Sequence, residues 1–134
     1  MIPTVVVDTD VVSFLYKRDT RALLYNPHLD GKLVLLSFMT IAELHRWTLE
    51  RQWGEKRRHD LEKFLDRFAV VEYNKALCVK WAEASYSAKC NGRPVGVADA
   101  WVAATALLEN APVVTHNRTH YAGVSNLQII SEAP

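Results

Sequence analysis

Residues 5–15 read VVVDTDVVSFL: three valines, two aspartates flanking a threonine, then Val11, Val12, Phe14 and Leu15 at helical spacing. A short β-branched run that ends in acid describes the carboxyl end of a buried parallel strand, the edge where open α/β sheets bind their ligands. Two chemistries begin this way. In one, Asp8 is a covalent nucleophile and Asp10 its general acid and base. In the other, Asp8 holds a metal and Asp10 caps the helix that follows, a task that suits its position directly before Val11.

Outward from this stretch, short apolar runs alternate with helical patterns, the order of strand-helix-strand units with a parallel sheet covered on both faces. Strands are expected at residues 4–7, 33–36, 69–72, 112–115 and 127–130. Helices are expected at 10–17, 39–52, 55–68, 74–90 and 97–110, the second and third as a hairpin broken at Gly54. Turn signals stand at Asn26 with Pro27, Asp30 with Gly31, Asn91 to Pro94, and Gly123. The fold class is therefore a three-layer α/β/α arrangement around a parallel sheet of about five strands. With 134 residues and 49% hydrophobic content, residues 1–134 make one domain with a proper core.

Composition excludes several function classes. A formal charge of +1 gives no overall basic field, so contact with nucleic acid must come from a local patch. The dense basic cluster is Arg51, Lys56, Arg57 and Arg58, either a solvated helix face or a phosphate-contacting rim. Cys78 and Cys90 share one expected helix, about 18 Å apart at 1.5 Å per residue, which is too far for a disulfide. No basic leader precedes a long apolar segment, and no run approaches the roughly 20 apolar residues of a membrane span. A soluble, cytoplasmic protein is expected. Phosphate loops, dinucleotide fingerprints, serine elbows and HExxH zinc helices are all missing. His116 and His120, four apart, invite zinc, but the segment supplies no further ligands.

Two more acids ask for a chemical explanation. Glu43 lies in SFMTIAELHRW, near the start of the helix entered from strand 33–36; Thr40 to Glu43 also has the spacing of a capping box. Asp99 lies in GVADAWVAATALLEN, a helix so apolar that an unpartnered carboxylate within it is expensive. Were Asp8, Glu43 and Asp99 to converge, each pair at roughly 4 Å would repel by about 4 kcal/mol at an effective dielectric of 20. All-oxygen ligation favours a hard cation, Mg²⁺ or Mn²⁺, which binds phosphate oxygens and activates water for phosphodiester hydrolysis.

With these acids placed, the chain resembles the PIN-domain family of ribonucleases, and within it the VapC-type toxins of toxin-antitoxin pairs. The resemblance rests on VVVDTDVVSFL, TIAEL, DAWVAATAL and THNRTHY in that order, nearly end to end. It implies an Mg²⁺-dependent endoribonuclease with Asp8, Glu43 and Asp99 at the active site, Asp8 and Asp99 ligating the metal, and Thr9 and Thr115 as supporting hydroxyls. It also implies a homodimer, an RNA substrate and a cognate antitoxin whose C-terminal segment blocks the site. One departure stands out: many relatives carry a fourth acid where this chain has Asn117, and no carboxylate occurs between Glu109 and Glu132. Asn117 still donates a hydrogen bond to phosphate or to metal-bound water, but one-ion chemistry is the expectation. Two rivals remain. One is a PIN-like module that binds RNA or a partner without cutting. The other is a haloacid-dehalogenase-like phosphatase with Asp8 as nucleophile, for which the strand PVVTHN lacks the required acidic pair.

Overall fold

A computed structural model describes residues 2–134. Val5 and Val7 point to one face of the first strand, β1 (Thr4–Val7), and Val6 to the other, and this alternation sets the layers. On the first face lie α1 (Thr9–Lys17), α2 (Ala22–Leu29), α3 (Phe38–Glu50) and α4 (Glu55–Leu65), whose Val11, Val12, Phe14, Leu44 and Leu61 pack with Val5 and Val7. On the second lie α5 (Lys75–Cys90) and α6 (Val97–Leu108), which close on Val6 through Ala84, Ala88, Val102 and Ala103. Alanine along α6 lets that helix approach the sheet closely.

The remaining strands are β2 (Leu33–Ser37), β3 (Ala69–Val71), β4 (Val113–Val114) and β5 (Ile129–Ile130), with α7 (Arg118–Tyr121) between the last two. All pairings are parallel and the order is β3-β2-β1-β4-β5. The expected three-layer α/β/α fold with a parallel five-stranded sheet is what the chain adopts. The strand order reverses between β1 and β4, so a crevice opens there at the carboxyl edge.

Three local expectations need correction. Asn26 and Pro27 are not a turn but lie inside α2, where Pro27 gives up one helical hydrogen bond. Tertiary packing overrides that break: Tyr25 is fully buried, and its hydroxyl accepts from the Glu132 amide at 3.1 Å and meets a ring nitrogen of His116. The short α7 was missed because its polar sequence RTHY has no amphipathic repeat long enough to register. Its placement depends on Gly123, where any Cβ runs into the Arg93 backbone; Asn91 Nδ2 donates to the Gly123 carbonyl at 2.8 Å in the same contact. The third correction, the capping of α1, belongs to the site. Both cysteines sit in α5 as free thiols. Among the described residues no helix is long and apolar enough to cross a membrane.

Candidate active site

Three helices that begin at the carboxyl edge of the sheet, α1, α3 and α6, bring their positive N-terminal ends toward the β1–β4 crevice, a setting that favours carboxylates. β1 ends at Val7 and α1 begins at Thr9, so Asp8 alone has the extended backbone of an N-cap, with φ −71° and ψ 156°. Asp8, not Asp10, therefore starts the helix, and it does so while standing at the mouth of the sheet. Its side chain is 5% exposed. Oδ1 accepts from the Thr9 amide at 2.8 Å, and Oδ2 accepts from the Thr115 hydroxyl, delivered by the end of β4, at 2.8 Å.

Asp10 falls inside the first turn and does different work. Its Oδ1 accepts from the Val11 amide at 2.7 Å, and its Oδ2 accepts from the His116 amide at 3.0 Å and from Asn117 Nδ2 at 2.9 Å. It straps the β4–α7 loop to α1. The Asn117 side chain is thereby turned to Asp10, and its own amide donates to the Thr115 hydroxyl at 3.0 Å. The carboxylate absent at position 117 has a counterpart in Asp10, whose charge bears directly on Asp8.

Glu43 reaches the same place from α3. The N-cap of that helix is Ser37, whose hydroxyl accepts from the Met39 amide at 3.1 Å, so Thr40 and Glu43 form no capping box. Instead the Thr9 hydroxyl donates to Glu43 Oε1 at 2.8 Å and lies 3.0 Å from the Thr40 hydroxyl, tying α3 to α1. Asp99, in the first turn of α6, keeps a side chain 29% exposed. Its Oδ1 accepts from the Tyr121 hydroxyl at 3.3 Å, and its Oδ2 lies 3.3 Å from His120 Nδ1.

The electrostatics follow from this crowding. Burial pushes the Asp8 carboxyl up to about 7, with the charges of Asp10 and Asp99 adding to it and the bonds from Thr115 and Thr9 opposing. Burial raises Asp10 as well, against the hydrogen bonds from Val11 and His116. It also raises Glu43, with Asp99 adding and Thr9 opposing. The Tyr121 phenol is pushed far up by burial and by the charges of Asp8 and Asp99, so it stays protonated. Among the described residues, His120 is the one basic side chain within 4 Å of these four acids, its Nδ1 beside Asp99.

Such a group suits a hard cation. The donors are all oxygen, and among the described residues no Lys or Arg makes an ion pair with them, Arg46 acting on Glu43 only from a distance. Among the described residues no three His, Cys, Asp or Glu side chains are drawn together tightly enough to hold a metal by themselves.

Other sequence candidates lie elsewhere or act differently. His116 and His120 do not form a pair: the first packs edge-on against Phe14 and Tyr25, the second sits at the rim by Asp99. Arg51 and Arg57 lie over Trp47 and Trp53 at 4.7 and 4.0 Å, while Lys56 and Arg58 line a surface depression with Glu55, His59 and Glu62. Sequence reasoning missed Tyr121 and the strap made by Asp10. Both contacts join residues far apart in the chain and leave no local signal.

Known proteins are similar to this chain. Ribonuclease VapC1 of Haemophilus influenzae is 28% identical over 123 residues, covering 90% of this chain and 92% of the relative. The tRNA(fMet)-specific endonuclease VapC of Shigella flexneri is 25% identical over 121 residues, with the same coverage. Among solved structures, VapBC-1 of nontypeable Haemophilus influenzae superposes with a TM-score of 0.79 at 27% identity, covering 96% of this chain and 97% of the other. DNA-bound VapBC of Salmonella typhimurium reaches 0.81 at 21% identity and 98% of each chain, a likeness of fold. With residues 5–123 matching the model of the PIN domain, from the first strand to the glycine that seats α7, the chain belongs to the PIN domain family.

Proposed function

We propose that this protein is a divalent-metal-dependent endoribonuclease that hydrolyses RNA phosphodiesters, and that it is the toxin of a VapBC-type toxin-antitoxin pair. The observation that carries the proposal is the meeting of Asp8, Glu43 and Asp99, with Asp10, at the β1–β4 crevice, where burial and neighbouring acids raise the carboxyls of Asp8 and Glu43. Asp8 and Asp99 are the residues that would hold Mg²⁺, or Mn²⁺. The ion would supply charge neutralisation for the phosphodiester and activation of water at this site. The chain's own groups do the rest. Thr115 and Thr9 hold both oxygens of Asp8, and Thr9 holds Glu43 through Oε1, which leaves Oε2 to accept the proton of the attacking water. The raised Glu43 carboxyl makes it a better base than an ordinary glutamate.

Arg51, Lys56, Arg57 and Arg58 supply phosphate contacts along the RNA. The toxin reading takes its support from the VapC ribonucleases and VapBC complexes that the chain is similar to. It brings with it a cognate antitoxin, a homodimer and a cytoplasmic location. The phosphatase alternative loses ground because it needs Asp10 as a free acid, whereas Oδ2 of Asp10 is engaged by His116 and Asn117.

Purified protein should cleave structured RNA when Mg²⁺ or Mn²⁺ is present and stop on addition of EDTA. Asp8→Asn and Asp99→Asn should each abolish the activity; cleavage that survives both variants would overturn the assignment. Intact RNA retained by the wild-type protein under all metal conditions would favour a binding module instead.

A further inference from the structure

Tyr121 is fully buried, and its ring packs with Val6, Val102, Ala103 and Val113. A phenylalanine would fill that apolar space without the cost of burying a hydroxyl. The hydroxyl is instead aimed into the crevice. It donates to Asp99 Oδ1 at 3.3 Å, and Asp8 is the second carboxylate that faces it. The other partner of Asp99, His120, is an exposed side chain, 56% accessible, and offers a much looser hold. Asp8 is fixed from both oxygens by β1, α1 and β4, whereas Asp99 stands on a different helix, at the rim, with part of its surface in water. The buried contact that locates Asp99 relative to Asp8 is therefore the one from Tyr121.

We propose that Tyr121 is a positioning residue, whose hydroxyl fixes the Asp99 carboxylate beside Asp8 before the divalent cation arrives. The inference rests on the reading of Asp8 and Asp99 as the cation's ligands. A phenol carries a single proton, so the hydroxyl orients one carboxylate at a time, here through Asp99 Oδ1, while Oδ2 lies beside His120 at the rim. Ligands held by such outer hydrogen bonds bind without first having to be ordered, and losing the outer partner lowers metal affinity by about 10- to 100-fold. Gly123 serves the same end, because its close seat on Arg93 fixes the segment that carries Tyr121.

The test is a titration of the full-length protein with Mn²⁺, followed by electron paramagnetic resonance, and with Mg²⁺, followed by calorimetry. Tyr121→Phe keeps the ring and removes the hydroxyl. It should retain a cooperative thermal transition without cation, bind Mn²⁺ at least about 10-fold more weakly, and need correspondingly more Mg²⁺ for half-maximal RNA cleavage. At saturating Mg²⁺ its rate should approach that of wild type. Unchanged Mn²⁺ affinity in a folded Tyr121→Phe would overturn the proposal. If wild-type protein binds Mn²⁺ no better than Asp8→Asn, the assignment of the cation site fails instead, which separates the two outcomes. A measurement on unmutated protein guards against misfolding of the variant: the Tyr121 hydroxyl proton should give a slowly exchanging resonance that shifts on addition of Mg²⁺. Rapid exchange with water, or no response to Mg²⁺, also overturns the proposal.

Discussion

Replacing Asp8 by asparagine should stabilise the cation-free protein at pH 8 while removing its activity. In the folded chain the Asp8 carboxyl titrates at about 7, against 3.8 for an ordinary aspartate, chiefly because it is buried. Across that window the folded chain holds a proton that the unfolded chain has released, so stability falls as pH rises from about 4 and the loss is complete above about 7. A displacement of that size sets a ceiling of about 4 kcal/mol. Relaxation and water entry around the ionised group bring the realised effect to about 1–2 kcal/mol, or about 3–8 °C in Tm for a chain of this length. Asparagine keeps an oxygen for the Thr9 amide and offers an N–H to the Thr115 hydroxyl, while carrying no charge. Thermal melts in EDTA should show the variant above wild type at pH 8 and level with it near pH 4. Adding Mg²⁺ at pH 8 should raise the wild-type Tm and leave that of the variant unmoved. A variant that melts below wild type by the same amount at both pH values, or that gains as much from Mg²⁺, refutes the reasoning.

Asp10→Asn should lose about 1–2 kcal/mol in urea unfolding, because a single oxygen cannot serve Val11 on one side and His116 with Asn117 on the other. It should also cut RNA more slowly as the β4–α7 loop loosens. Gly123→Ala should destabilise by about 1–3 kcal/mol, since the new methyl meets the Arg93 backbone, and hydrogen exchange should quicken first in α7.

The fold was legible because its signals are local. β-branched runs of three or four residues, separated by helical patterns, specify a parallel sheet with little ambiguity, and Thr4–Val7 matches the expectation residue for residue. Pro27 misled for the same reason: a local break was outvoted by burial of Tyr25, a contact made with residues near the other end of the chain. At the candidate site, the acids announced themselves by sitting beside apolar segments, and the structure brings Asp8, Glu43 and Asp99 to one edge. Which aspartate caps α1 was misjudged, because capping depends on where the helix begins, and α1 begins at Thr9, one residue earlier than the helical pattern suggests. Tyr121 was invisible: its partner Asp99 lies on another helix, and nothing in RTHY points to it.

The reversal of strand order between β1 and β4 also has a consequence in time. Asp8 is made well before its partner Thr115, which follows 107 positions later, and Asp99 and Tyr121 also come long after it. At about 5–20 residues per second, the first carboxylate waits several seconds for the groups that complete its surroundings. A site built across such a seam is not assembled until the segment that carries Thr115 and Tyr121 has been made.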